Sequence, residues 1–274
     1  MRGYVNGEVL HNQDYDELYG TWNVDGKPVP VASTYRVAWR AMAATTGFRT
    51  LYPALIPPAA KHIHTVSSAG PVDSYPALLA AISASSLVSD FLVRSTGAAF
   101  LTSASFENLP LLRSAHLNSN AVRLYLRLNC LTFEYSGIWE HFIGEKWSAE
   151  IPLRQHWERK EAQAALDVIC GISFGISIEE LLMIYRTQFP VMRRYDQEVL
   201  FDANGRKVPK EIVRKQLALA AGSSLTSDEL TWEHPQSKVN YTFEYPFRNF
   251  DRERVMQRLF NIYNNPQDLP ENSA

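Results

Sequence analysis

Residues 35–68 read YRVAWRAMAATTGFRTLYPALIPPAAKHIHTVSS, and the fold turns on how this stretch is taken. Tyr35, Val37 and Trp39 alternate with Arg36, Ala38 and Arg40, the period-two pattern of a half-buried strand. Thr45-Thr46-Gly47 suits a turn. Arg49 to Ile56 then reads as a second strand closed by Pro57-Pro58, and His62 to Val66 as a third. Strand geometry puts His62, His64 and Val66 on one face of the third strand. The stretch contains no Asp or Glu, while Arg36, Arg40, Arg49, Lys61, His62 and His64 are interleaved with Tyr35, Trp39, Phe48 and Tyr52. Basic and hydroxyl groups on an aromatic-rich β framework suit a surface that faces a polyanion. The competing reading is a β-sheet with scattered, solvated arginines.

Upstream, residues 1–30 form an acidic lead-in, with turn signals at Asn6-Gly7 and Asp25-Gly26 and room for a short hairpin. Downstream, Pro76 to Ser89 is rich in Ala and Leu and predicts a buried helix, while Asp90 to Thr96 (DFLVRST) returns to strand character before Gly97. Leu109-Pro110-Leu111 predicts a loop. Leu117, Ala121, Leu124, Leu128, Leu131 and Tyr135 recur at helical spacing behind a cap at Asn118 or Ser119, with Gly137 as the stop.

From about residue 150 the texture is helical. Arg154 to Cys170 predicts one helix, and Ser177 with Glu180 predicts a capping box for a second that Pro190 ends. Asp202-Ala-Asn-Gly205 is a hairpin turn inside Val199–Val208. Pro209 opens a helix that Gly222 closes, and Asp251 caps a last one over Arg252–Asn264. Residues 266–274 predict a disordered tail. The expected class is α+β: a β-rich region over 31–140, then a helical region over 150–265.

The 274 residues carry a net charge of −2, distributed unevenly. Residues 1–29 sum to −3, residues 30–130 to +5 and the remainder to −4. A basic segment inside a near-neutral chain fits a phosphate-facing groove. Two cysteines, Cys130 and Cys170, make neither a disulfide framework nor a metal cluster; buried thiols in a reducing compartment are expected. No apolar run is long enough to span a bilayer, and residues 1–20 lack a signal-peptide pattern, so a cytoplasmic protein without membrane contact is expected.

The order YRVAWR, TGFRTLYPALIPP, HIHTVSS, DFLVRSTG and LPLL, followed by LNCLTFEYSGIWE, EELLMIYRTQFPVMRRYD, FDANGRKVP and PFRNFDRER, resembles a known series. It is similar to the target-recognition and C-terminal region of large restriction–modification-type adenine methyltransferases, among them type IIG and type ISP restriction enzymes and the methylase of BREX phage-defence systems. The resemblance covers residues 33–264. It implies sequence-specific recognition of double-stranded DNA on behalf of a methyltransferase domain or subunit, in cis or in trans. In that family catalysis and S-adenosylmethionine binding lie in a separate Rossmann-like domain. Its Asn/Asp-Pro-Pro-aromatic motif grips a flipped adenine. Ile56-Pro57-Pro58-Ala59 has the prolines without the amide or acid before them or the aromatic after. The resemblance therefore implies a specificity module with no catalytic, cofactor or metal site in this chain.

Carried onto this sequence, the DNA-contacting positions are Arg36, Arg40, Arg49, Thr50, Lys61, His62, His64, Ser67, Ser68, Arg94, Ser95 and Thr96. Arginine can read guanine bidentately, while lysine and hydroxyl groups hold phosphates. Arg40, Arg49 and Arg94 are expected to matter most. The alternative for Arg49 and Arg94 is an ion pair with a buried acid such as Asp90.

Three other patterns compete. Gly171-Ile-Ser173-Phe-Gly175 matches the nucleophile elbow of serine hydrolases, with Asp202 or Asp228 and then His234 in the hydrolase order. An elbow needs a strand before its serine, and ALDVIC continues a helical pattern instead. His62-x-His64 puts two imidazoles on one strand face but lacks a third ligand. Glu158-x-Lys160 matches the tail of a nuclease signature without the preceding aspartate. A protein-interaction module, with the helical half docking on a partner, is the remaining functional class.

Overall fold

Arg36, Val37, Ala38 and Trp39 are all buried, although the alternation predicts that only every second one would be. The computed structural model gives the reason: their strand is the centre of its sheet and is covered on both faces. The structure describes residues 3–5, 8–10, 20–113, 115–220 and 222–265, with backbone only for the first two segments and for His116. The Asn6-Gly7 turn and the tail over 266–274 lie outside them. The protein is α+β, with the strands mostly N-terminal. It divides into two compact units, residues 1–45 with 49–152, and residues 46–48 with 153–274.

In the first unit two hairpins precede the sheet: β1 (Gly3–Val5) with β2 (Glu8–Leu10), and β3 (Thr21–Val24) with β4 (Lys27–Pro30) around Asp25-Gly26. The sheet itself has the order β6-β5-β7, from β5 (Arg36–Arg40), β6 (Pro53–Ile56) and β7 (Val66–Ala69), all antiparallel. Register pairs Val37 with Leu55 and Ala69, and Arg40 with Val66. The second strand is thus shorter than expected, and the third begins where the expected one ends. His62 to Thr65 turn instead, closed by the Val66 amide donating to the Ile63 carbonyl at 2.9 Å.

One face of β5 carries the core. Trp39 stacks on Phe106, centroids 4.6 Å apart, and packs with Leu51, Ala84, Val93 and Leu101. Its indole N–H donates to the Leu101 carbonyl at 3.2 Å. The outer edge of β6 is sealed by side chains. The Leu55 amide donates to Asn129 Oδ1 at 3.1 Å and the Tyr135 hydroxyl donates to the Leu55 carbonyl at 2.9 Å, so neither is left as an open pairing edge.

Residues 75–95 are two helices, α1 (Tyr75–Ala84) and α2 (Leu87–Ser95), where the sequence predicts one helix followed by a strand. Ser86 is extended and caps α2 by accepting from the Ser89 amide at 3.2 Å. Asp90 and Arg94, four residues apart, share one helical face and pair with each other. That spacing, rather than the local alternation of DFLVRS, decides for helix. After α3 (Ser103–Glu107) comes α4 (Ala115–Asn129), which starts before the expected caps at Asn118 or Ser119 and ends short of Leu131 and Tyr135. Gly137 does not stop a helix; it lies in the first turn of α5 (Ser136–Ile143), and Gly144 stops that helix instead.

The second unit is built on α6 (His156–Ser173), which packs against α7 (Ile178–Gln188) and α10 (Arg252–Asn264). The Ser177–Glu180 capping box forms as expected. Pro190 ends α7 and, lacking an amide proton that a first turn does not need, also begins the unforeseen α8 (Pro190–Glu198). Helix α9 spans Lys210–Ala218, and Asp251 caps α10 by accepting from the Arg254 amide at 3.0 Å. Short strands complete the unit: β8 (Leu200–Phe201) with β11 (Arg248–Asn249), and β9 (Thr231–Glu233) with β10 (Asn240–Thr242).

Candidate nucleic-acid interface

The second face of β5 bears Arg36, Ala38 and Arg40, and the connection from β6 to β7 lies over it. Arg36 is fully buried, and its guanidinium donates to the Ala60 carbonyl, pinning that connection down. A second tie runs from the Ala59 amide to the Ala32 carbonyl at 2.7 Å, with Ala59 held at a left-handed φ of 65°. A third joins His62 Nε2 to Ser68 Oγ at 2.8 Å. His62 Nδ1 faces the Ile63 carbonyl at 3.3 Å; a carbonyl only accepts, so Nδ1 carries the proton and Nε2 accepts from the serine. Burial, with the Arg36 charge adding to it, holds His62 below the usual imidazole range. His62 is thus a neutral, positioned group at neutral pH.

Pinned in this way, the connection leaves Lys61 and His64 exposed. Arg40 emerges on the same sheet face at the strand end, beside Thr65, whose carbonyl accepts from the Ala41 amide at 2.9 Å. The Arg40 Nε donates to the Met42 carbonyl at 2.8 Å, and its guanidinium sits 5.7 Å from the Tyr52 ring centroid. Arg40, Ser68 and, through its bond to Ser68, His62 therefore share one side of the sheet, with Lys61 and His64 exposed on either side of His62 in the connection.

The other candidate positions go elsewhere. Asp90 is buried and accepts from the Thr50 amide at 3.0 Å and from Arg94 Nε at 3.3 Å, with Arg49 Nε at 4.0 Å. Burial raises the Asp90 pKa, and Arg49 is the largest influence opposing that rise. Arg94 also donates to the Thr45 carbonyl at 3.0 Å, and Arg49 to the Ser85 carbonyl at 3.3 Å. Arg49 and Arg94 are thus internal clamps joining the start of the second-strand segment to α2, the ion pair weighed as their alternative. Thr50 is buried, its hydroxyl donating to the Ala44 carbonyl at 3.2 Å. Ser67 pairs with Trp39 and shares the core side of the sheet. Ser95 and Thr96 are exposed at the end of α2 and donate back to the Leu92 and Val93 carbonyls, each at 2.7 Å. Burial of Arg36 and Arg94 also reduces the surface charge that the sequence suggests.

Comparison with protein-family models, curated proteins and solved structures returned no match. The site must be read from its own chemistry.

The hydrolase pattern has a structural explanation. Gly171 and Ser173 lie in the last turn of α6, with no strand before them. A Cβ on Gly171 would meet Leu181 at 3.2 Å, so that glycine lets α7 approach, and Gly175 ends the run at a φ of 72°. Asp202 is buried against Arg206 at 2.6 Å, and His234 Nδ1 accepts from the amides of Gln236 and Ser237 in its own turn. Among the described residues no group of three or more His, Cys, Asp or Glu is placed to hold a metal ion. Cys130 and Cys170 are buried thiols outside any disulfide, and burial pushes Cys130 up to about 12. No single described helix is long and apolar enough to cross a membrane.

Sequence reasoning missed a buried charge cluster in the second unit. The Asp196 carboxylate accepts from Arg252 Nε at 2.6 Å, from the Tyr185 hydroxyl at 2.9 Å and from the Lys160 ammonium. Arg252 Nη1 lies 3.9 Å from Asp167 Oδ2. Phe250 flanks the cluster, its centroid 5.3 Å from the Arg252 guanidinium and 5.0 Å from the Lys160 ammonium. Burial alone would raise Asp196, but Arg252 and then Lys160 outweigh it and hold the carboxyl below the usual range. The Glu158-x-Lys160 pattern thus contributes a structural lysine. No spacing signal links residues 160, 196 and 252; only the packing of α6, α8 and α10 does.

Proposed function

We propose that the first unit is a recognition module for double-stranded DNA, acting for an adenine methyltransferase domain or subunit that supplies S-adenosylmethionine and the chemistry. One observation carries this reading: Arg40 and Ser68 share one face of the sheet, His62 bonds to Ser68, and exposed Lys61 and His64 adjoin His62 in the chain, within a run from residue 31 to residue 72 that contains no Asp or Glu. In this reading Lys61 and His64 hold phosphates, and Arg40 reaches for a base edge or the backbone next to them. His62, with both ring nitrogens bonded within the chain, orients Ser68, whose hydroxyl oxygen can still accept a hydrogen bond without adding net charge. Arg36 supports the face from inside, and the motif order over residues 33–264 supports the methyltransferase context.

The test is binding of the chain to random-sequence duplex DNA at two salt concentrations, with recovery of the bound sequences. Wild type should bind more weakly as salt rises and enrich a short motif. Arg40→Ala combined with Lys61→Ala should lower the salt slope by about 0.9 for each phosphate no longer neutralised. Absence of binding at low salt, or an unchanged slope in that variant, would defeat the proposal.

A further inference from the structure

Met42 and Phe100 are 58% and 51% exposed, and they stand directly opposite each other in an isolated antiparallel bridge. The Ala43 amide donates to the Ala99 carbonyl at 2.9 Å and the Leu101 amide to the Ala41 carbonyl at 2.7 Å, one hydrogen bond on each side of the pair. In this arrangement the opposed residues share one face, with Cα atoms about 4.5 Å apart. The alternate positions, Ala41 and Leu101, are 0% and 2% exposed, and Leu101 packs on Trp39. The pair is thus a two-residue apolar knob on a buried, hydrogen-bonded base, projecting where the alternation could have placed polar residues at no cost to the core. Arg40 borders it through its bond to the Met42 carbonyl.

We propose that Met42 and Phe100 form a wedge that enters a base step of bound double-stranded DNA, with Arg40 on the adjoining phosphates; the inference rests on the DNA reading above. Two observations select this occupant over a protein. The first is size. Phe100, an aromatic side chain able to bury roughly 150–250 Å² and about half exposed, offers on the order of 100 Å², and the similarly exposed Met42 adds a comparable amount. A stable protein interface needs about 800 Å² from each partner. A base step is opened by one or two apolar side chains. The second is charge. The segments that supply the knob, residues 31–72 and 91–106, contain no Asp or Glu, so nothing they bring repels a phosphate backbone. Entry of the wedge would unstack one step and bend the duplex away from the knob. That bend also lowers the further cost of turning a neighbouring base out of the helix, which an adenine methyltransferase requires.

The test uses the full chain and short duplexes of the enriched motif and of random sequence. Each duplex carries a fluorescent adenine analogue that brightens on unstacking, and end labels report the bend. Wild type should brighten the analogue at one position and shorten the end-to-end distance. Met42→Ser with Phe100→Ser, both surface changes, should abolish both signals and weaken binding about tenfold while keeping the salt slope. Binding by wild type without brightening or bending, or signals that persist in the double variant, would overturn the wedge and leave the DNA reading standing. No binding at all would overturn both. Self-association of wild type that the double variant loses, with no DNA binding, would assign the knob to a protein contact instead.

Discussion

Replacing Asp196 by alanine should loosen the helical unit more than any surface change. The carboxylate collects three donors, from Arg252, Tyr185 and Lys160, and the side chains of Asp196 and Arg252 are 3% and 1% exposed. Without it, Arg252 keeps Asp167, at 3.9 Å, as its carboxylate neighbour among the described residues. Removing one partner of a buried pair costs about 3–5 kcal/mol, because the surviving charge remains desolvated. Read as amide exchange at neutral pH, protection of α6 and α10 should fall by some two to four decades. Removing the stranded charge as well should help, so Asp196→Ala with Arg252→Met should lose less protection than Asp196→Ala alone. The pH dependence has a definite sign. Asp196 is held below its unfolded value, so its stabilisation is present above about pH 4 and is lost as pH falls through the lower folded pKa. The alanine variant should lack that acid-labile component. Protection within threefold of wild type in Asp196→Ala, or a double variant worse than the single, would refute the reasoning.

Asp90→Ala should destabilise the first unit by about 3 kcal/mol in urea, since it strands the Thr50 amide and removes the carboxylate facing Arg94 and Arg49; a loss under about 1 kcal/mol would show that the clamp is dispensable. Gly205→Ala combines a φ of 74° with a Cβ 2.8 Å from that of Trp157. It should cost about 2 kcal/mol and lower the melting temperature, and an unchanged melt would mean the turn relaxes freely. Ser173 should resist a fluorophosphonate probe, and labelling that Ser173→Ala abolishes would restore the hydrolase reading.

Much of the architecture follows from local chemistry. The last helix begins at Arg252 because Asp251 caps it, the Ser177–Glu180 box starts α7, and Gly97 and Gly175 stop helices where φ must turn positive. Such signals act within a few residues, so a sequence displays them directly. The central strand was legible for the same reason, through the period-two run ending at Trp39.

Side-chain fate was not legible, because it depends on what covers each face. Alternation places Arg36 on the outer side of a strand, yet the β6–β7 connection closes over that side and makes Arg36 an internal strut. Arg94 reads as a residue of an apolar strand, but DFLVRS coils into α2 and brings Arg94 onto Asp90. The Met42–Phe100 pair and the Asp196–Arg252–Lys160 cluster join residues 58 positions or more from one end to the other, through bridges and helix packing alone. Near neighbours and composition suffice for the Ser177 and Asp251 caps, the central strand over Arg36–Arg40 and the concentration of positive charge along the chain. Which charges reach solvent is set by the packed surroundings, because desolvation and pairing belong to the assembled structure and not to the residue.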